Sequence, residues 1–221
     1  MPQTLSGPML PPASGGAPRQ IVVLLHGYGA DGNDLIALGQ HWRALWPDAL
    51  FVAPNAPEPC AESPMGYQWF PLALERSESR IEGVPRARPV VSGFLEALWA
   101  QTGLGAGETV LAGFSQGAMM ALHTGLWLEE TLAGIVGFSG ALVPPRPYGS
   151  GPRPPVCLVH GDADQVVPVS LSQEAATALE AEGVPVSLRI CEGVAHGISP
   201  EGLAFAQGFI ETCLASRKSA H

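Results

Sequence analysis

Three residues suited to acyl-transfer chemistry stand far apart in this chain, in the order Ser115, Asp164, His196. A serine hydroxyl is a poor nucleophile at neutral pH, so it needs a base, and the base needs a partner that fixes its tautomer. Ser115 lies at the centre of Gly113-Phe114-Ser115-Gln116-Gly117. The apolar run from Thr109 to Phe114 reads as a buried strand, and Ala118-Met119-Met120-Ala121-Leu122 reads as the start of a helix. A sharp strand-to-helix turn of this kind lifts the serine hydroxyl out of a sheet, and the flanking glycines keep side chains out of the turn. In a chain with 27 glycines the pentapeptide alone is weak, with roughly 0.2 chance matches expected. Gly137-Phe138-Ser139-Gly140 lacks the spacing and the following helix, so Ser139 reads as an ordinary strand-end serine.

The partners come from the loops after two later strands. Val156-Cys157-Leu158-Val159-His160 runs into Gly161-Asp162-Ala163-Asp164, and Val186-Ser187-Leu188-Arg189-Ile190 precedes the loop that carries His196. In a parallel sheet the loops after the strands' C-terminal ends gather on one edge, so Asp164 and His196 converge on the edge that carries Ser115. His196 would take the serine proton and Asp164 would orient the imidazole. His160 is an alternative base, but it ends a strand among apolar residues, where packing is the commoner role. Asp162 competes with Asp164 and reads better as a loop cap, because Asp164 stands further out of the strand.

An oxyanion formed on attack needs two backbone N–H groups. Gln116, directly after the serine, supplies one. Tyr28, in His26-Gly27-Tyr28-Gly29 after the first strand, is the second candidate, since glycines on both sides let the backbone bend towards a substrate. The same loop, Gly27 to Gly32, also matches the G-x-G-x-x-G dinucleotide fingerprint. That fingerprint needs an acidic residue at the end of the next strand, where this chain has Ala53-Pro54-Asn55. A nucleotide reading also leaves Ser115, Asp164 and His196 unexplained.

The elements that must hold these residues alternate along the chain. Strands are expected at 21–25, 50–53, 109–114, 134–138, 156–160 and 186–190. Helices are expected at 34–45, 89–99, after Gly117, at 170–182 and at 200–215. The pattern predicts an α/β fold, a mostly parallel sheet with helices on both faces. A long excursion is expected over 55–85, and the proline-rich loop over 144–155 is too short for a cap domain. Residues 1–18 are expected to be a flexible extension, 19–216 a single domain, and 217–221 a tail.

Composition narrows the class. A chain of 221 residues with 46% hydrophobic and 14% charged residues suits one compact globular unit. A net charge of -9 argues against a nucleic-acid partner. The Pro-, Gly- and Ser-rich N-terminus does not read as a secretory signal, and no apolar stretch is long enough to span a membrane. Cys60, Cys157, Cys191 and Cys213 show no C-x-x-C spacing and read as buried, reduced thiols of a cytoplasmic protein. His/Cys spacing gives no support for a metal site.

Taken jointly, His26-Gly27-Tyr28-Gly29, Gly66-Tyr67-Gln68-Trp69-Phe70, the Ser115 pentapeptide, His160-Gly161-Asp162-Ala163-Asp164 with Val167-Pro168, and Ala195-His196-Gly197 resemble the phospholipase/carboxylesterase family, which includes acyl-protein thioesterases and small bacterial carboxylesterases. The resemblance runs from about Arg19 to Leu214. It implies an α/β-hydrolase fold, a Ser115–Asp164–His196 triad, an oxyanion hole at the Tyr28 and Gln116 amides, and no cofactor. The family's better-known eukaryotic thioesterases carry a leucine and an early aspartate in the first loop, where this chain has Tyr28 and a longer Gly29-Ala30-Asp31-Gly32.

Met65, Trp69, Phe70, Leu142 and Val166 are candidate linings of the acyl pocket, with loop anchoring as the plain alternative for Trp69. The expected substrate is a small ester or thioester with a short to medium acyl chain, with protein thioesters and lysophospholipids as alternatives. The apolar content near the cleft would also suit a homodimer. The alternative of another class is a hydrolase-fold binding module without catalysis; a peptidase finds no feature that would position a peptide.

Overall fold

The computed structural model describes residues 5–72, 76–144 and 152–218. Most of the 144–155 loop, residues 1–4 of the extension and 219–221 of the tail lie outside them. Seven strands form one sheet in the order β1-β3-β2-β6-β7-β8-β9. They are β1 (Met9–Leu10), β2 (Gln20–Leu25), β3 (Ala49–Val52), β6 (Thr109–Phe114), β7 (Gly134–Phe138), β8 (Val156–Gly161) and β9 (Val186–Cys191). Only β1 runs antiparallel to its neighbour; the rest of the sheet is parallel. A second, two-stranded ribbon of β4 (Glu58–Pro59) and β5 (Tyr67–Gln68) lies in the excursion.

Both faces of the sheet are covered, which is why its strands are apolar at consecutive positions. Ile21, Val23 and Leu25 pack on one face with residues of α2 (Arg76–Thr102), α3 (Gln116–Trp127) and α4 (Ser170–Ala181). Val22 and Leu24 pack on the other with α1 (Gly32–Trp42) and α5 (Pro200–Lys218). The chain leaves β2 for β3 on one side and returns to β6 on the other. The loops after β2 and β6 therefore diverge at a topological switch point, the usual place for a ligand crevice.

Two expectations are corrected. The N-terminal extension is docked from Leu5 onward: β1 pairs with β3, the Ala53 N–H donates to Pro8 O (3.0 Å), and the Asn55 N–H to Ser6 O (2.8 Å). Gly7 allows this approach, since a Cβ there would meet Ala53 O at 2.2 Å. The helix expected over 89–99 begins instead at Arg76 and runs through Pro85 and Pro89. Each proline removes a donor, yet Val84, Ala87, Val91, Leu95 and Leu98 form a buried stripe at three- and four-residue spacing that packs on the core. Burial of that stripe overrides the prolines.

Candidate active site

Ser115 occupies the turn between β6 and α3 with φ 54° and ψ −115°. A non-glycine residue in so sparse a region stores on the order of 1–3 kcal/mol, so the surroundings must hold it. Its N–H donates to Phe138 O at 2.8 Å, and its carbonyl accepts from Ala118 and Met119 at the first turn of α3. The two glycines have distinct steric reasons. A Cβ on Gly117 would lie 2.0 Å from Leu25 O, and one on Gly113 would lie 2.3 Å from the Gly117 carbonyl.

Three chain segments meet here. His196 Nε2 lies 2.9 Å from Ser115 Oγ, and His196 Nδ1 lies 2.6 Å from Asp164 Oδ2. The Asp164 side chain is fully buried, while that of His196 is 19% exposed. Asp164 Oδ1 accepts from the Val166 and Val167 amides at 2.8 and 2.9 Å. Burial alone would raise the Asp164 carboxyl. The hydrogen bond from His196, the Val167 and Val166 amides and the charge of His196 outweigh it and hold the carboxyl below its usual value. Asp162 serves a different end: its Oδ1 accepts from the Gly193 N–H at 2.7 Å, tying down the loop that carries His196.

The loop after β2 lies against the turn, where a Cβ on Gly27 would come within 3.4 Å of the Ser115 Cβ. Buried His26 braces it. Ala56 N–H donates to His26 Nε2 at 2.9 Å, which leaves Nδ1 to donate to Gly27 O at 2.7 Å. Gly27 O also accepts from the Ala30 N–H. The Gly27–Tyr28 peptide is thereby fixed by its carbonyl, and in a trans peptide the Tyr28 N–H points the opposite way. Desolvation lowers the His26 pKa more than the Gly27 bond and the charges of Asp31 and Asp34 raise it. The Tyr28 hydroxyl has its pKa pushed up to about 12, chiefly by a hydrogen bond to Cys60 and then by burial.

The expected pocket residues separate. Trp69 and Phe70 are buried at 1% and 2% exposure, and their segment is stitched to the turn. Gln116 Oε1 accepts from the Trp69 N–H (2.9 Å), Gln116 Nε2 donates to Phe70 O (2.8 Å), and Trp69 Nε1 donates to His26 O (2.9 Å). These bonds anchor the Trp69 segment to the turn. Met65 stands out at 87% exposure, Val166 is 46% exposed, and Leu142 packs half-buried against the core. The cleft beside His196, of about 300 Å³, is lined instead by Asp34, Leu35, Leu38, Phe114, Gly197 and Ile198. Sequence reading missed this wall. The apolar face of α1 was visible, but not that its first turns reach over the site. Among the described residues, no cluster of three or more His, Cys, Asp or Glu side chains could hold a metal ion.

Comparison with known proteins bears on this geometry. A family described as Phospholipase/Carboxylesterase matches residues 13–214. The chain belongs to that family. It is similar to esterase YpfH of Escherichia coli K12, 31% identical over 189 residues that cover 85% of this chain and 80% of the relative. It is also similar to acyl-protein thioesterase 1 of Saccharomyces cerevisiae, 29% identical over 222 residues, 90% of this chain and 94% of the relative. The crystal structure of esterase PE8 superposes with a TM-score of 0.91 at 52% identity, covering 96% of this chain and all of PE8. The family member described here has the α/β-hydrolase fold and is a carboxylesterase-type hydrolase. Among the described residues no helix is long and apolar enough to cross a membrane.

Proposed function

We propose that this hydrolase cleaves carboxylic esters of short to medium acyl chain through an acyl-enzyme on Ser115. The observation that carries the reading is the continuous Ser115–His196–Asp164 contact at 2.9 and 2.6 Å, with the serine held at positive φ. His196 Nε2 takes the Ser115 proton as Oγ attacks the ester carbonyl. The tetrahedral oxyanion is met by the N–H groups of Tyr28 and Gln116, the latter among the first amides of α3, which have no partner within the helix. Collapse breaks the C–O bond, and the proton on His196 passes to the departing alcohol. Water then gives a proton to His196 and attacks the acyl carbonyl; the acyl–Oγ bond breaks, His196 returns the proton to Ser115 Oγ, and the acid leaves. Asp164 keeps Nδ1 protonated throughout.

The cleft beside His196 supports the chain-length reading. At about 300 Å³ it lies at the bottom of the usual range for ligand pockets, roughly 300–1,000 Å³, and Leu35, Leu38, Phe114 and Ile198 offer an apolar wall. The buried free thiols of Cys60, Cys157, Cys191 and Cys213 support a reducing, cytoplasmic setting.

Hydrolysis of p-nitrophenyl acetate, butyrate and octanoate and of a palmitoyl thioester, by wild type and Ser115→Ala side by side, tests the reading. Serine-dependent turnover is expected, greatest on the shorter esters. Preference for the palmitoyl thioester would move the substrate to long acyl thioesters, as the likeness to acyl-protein thioesterase 1 allows. Equal turnover by Ser115→Ala would sink the mechanism.

A further inference from the structure

A second histidine reaches the same carboxylate from inside the core. His160, at the end of β8, is 1% exposed, and its Nε2 lies 2.8 Å from Val167 O and 3.2 Å from Asp164 Oδ2. A carbonyl oxygen can only accept, so Nε2 carries the hydrogen. His160 Nδ1 is then the acceptor, and Ser172 Oγ of α4, itself 1% exposed, lies 2.6 Å away to donate to it. His196 donates Nδ1–H to Oδ2, whereas His160 gives its Nε2–H to Val167 O and brings only the nitrogen within 3.2 Å of the same carboxylate oxygen.

We propose that His160, locked by Ser172, is a positioning residue for the esterase reaction: its Nε2–H holds Val167 O, and with it the Asp164–Val167 turn that fixes the carboxylate for His196. The inference rests on the Ser115–His196–Asp164 reading above. Asp164 and Val167 already clasp one another, since the Val167 amide donates to Oδ1. His160 closes that turn from the opposite side through Val167 O, with its Nε2 3.2 Å from Oδ2. The Nε2–H dipole, its nitrogen 3.2 Å from Oδ2, also stands beside that charge. Without that dipole the charge on Oδ2 acts on His196 alone and favours the imidazolium. The Ser172 hydroxyl strengthens the Nε2–H as a donor by donating to the other ring nitrogen.

Few other charges compete in the proposed coupling. Among the described residues, His196 is faced by Asp164, by Ser115 from the turn, by the Phe114 ring at 4.8 Å, and by Asp34 of α1 across the cleft. His160 is faced by Asp164 and by Ser172 of α4. Changing His160 leaves Asp34 untouched.

The test compares His160→Phe and His160→Gln with wild type and Ser115→Ala on p-nitrophenyl butyrate. It measures kcat, KM and the pH profile of kcat/KM, with thermal melts to establish folding. His160→Phe is expected to lower kcat about 10- to 100-fold with KM within about twofold, the pattern of a lost positioning interaction. Its acid limb should move up by about half a pH unit. His160→Gln, whose side-chain NH2 can donate in place of Nε2–H, should recover most of both. Two results overturn the proposal: a His160→Phe enzyme with the wild-type profile, or equal losses in both variants with the limb unmoved, which is a packing effect. Should His160→Phe fail to fold, Ser172→Ala decides: a smaller upward displacement of the limb supports the proposal and an unmoved limb overturns it. If Ser115→Ala remains active, the triad reading has failed, whatever His160 does.

Discussion

Asp164 stands between two serine–histidine pairs that look alike by distance and differ in almost everything else. On one side, Ser115 and His196 meet at 2.9 Å; on the other, Ser172 and His160 meet at 2.6 Å. The shorter contact belongs to the buried pair. His160 sits within β8 and Ser172 within the first turn of α4, each 1% exposed, and Ser172 Oγ also lies 3.4 Å from Gly140 O. Ser115 is instead presented on a strained turn, and His196 borders an open cleft. The ring orientation is also reversed. His196 turns Nδ1 to the carboxylate and keeps Nε2 for the serine, whereas His160 commits Nε2 to a carbonyl and has no free space beside its serine for a carbonyl substrate. Access, backbone conformation and the free tautomer distinguish the pair proposed as reactive from the buried one, and distance does not.

Asp164→Asn breaks the comparison at its shared member and carries the largest expected effect. The Val166 and Val167 amides donate to Oδ1, so the asparagine carbonyl is held there and its NH2 takes the place of Oδ2. That NH2 can only donate. It drives His196 to the Nε2–H tautomer, which has no lone pair for the Ser115 proton. A fall in kcat/KM of about 10⁴-fold is expected, read by steady-state ester hydrolysis. A loss under tenfold would mean that Asp164 does not control the tautomer.

The pair proposed as reactive was the legible one. A strand, G-x-S-x-G and a helix announce Ser115, and loops after parallel strands announce Asp164 and His196, because sheet topology gathers such loops without any detail of packing. His160 was seen only as a rival base, since its role depends on an α4 serine whose approach no local pattern encodes. Ser139 was read as ordinary, yet it has φ 49° and a buried hydroxyl without a hydrogen-bond partner. β6 and β7 both end in Gly-Phe with a serine next, Gly113 beside Gly137 and Phe114 beside Phe138; two strands therefore turn sharply at the same level, and only β6 runs straight on into a helix. The docked N-terminus was illegible because a two-residue edge strand leaves no periodicity. The wall of the cleft was illegible because it is made where α1 crosses the loop after β9.

A buried imidazole sharpens the contrast with His196, which gains and loses a proton in the proposed mechanism. His123 of α3 is fully buried, with Nδ1 3.3 Å from Val143 O and Nε2 without a hydrogen-bond partner. Desolvation pulls its pKa down to about 4, against a smaller upward pull from the Val143 bond. The unfolded chain takes a proton near 6.5 while the native state resists until about 4. The stability this neutral ring contributes is therefore complete above about 6.5 and is lost as pH falls towards 4. The loss should be on the order of 3 kcal/mol. Denaturant melts of His123→Phe at pH 7 and 4.5 should show that much less acid sensitivity than wild type; parallel pH dependence would mean that the buried ring takes a proton as readily as a free one.

The smallest expected effect tests the buried pair directly. Ser172→Ala removes the hydroxyl that serves His160 Nδ1 and leaves a dry acceptor without a donor, at a cost of about 1–3 kcal/mol in unfolding free energy. Its activity should fall no more than about threefold, because nucleophile, base and oxyanion donors remain. Removing the other hydroxyl, in Ser115→Ala, keeps the Cβ and the strained turn and should leave stability within about 0.5 kcal/mol of wild type while turnover disappears. The two alanines thus separate stability from chemistry across one carboxylate. Were Ser172→Ala the inactive variant and Ser115→Ala the unstable one, the assignment of reactive and structural pairs would have to be exchanged.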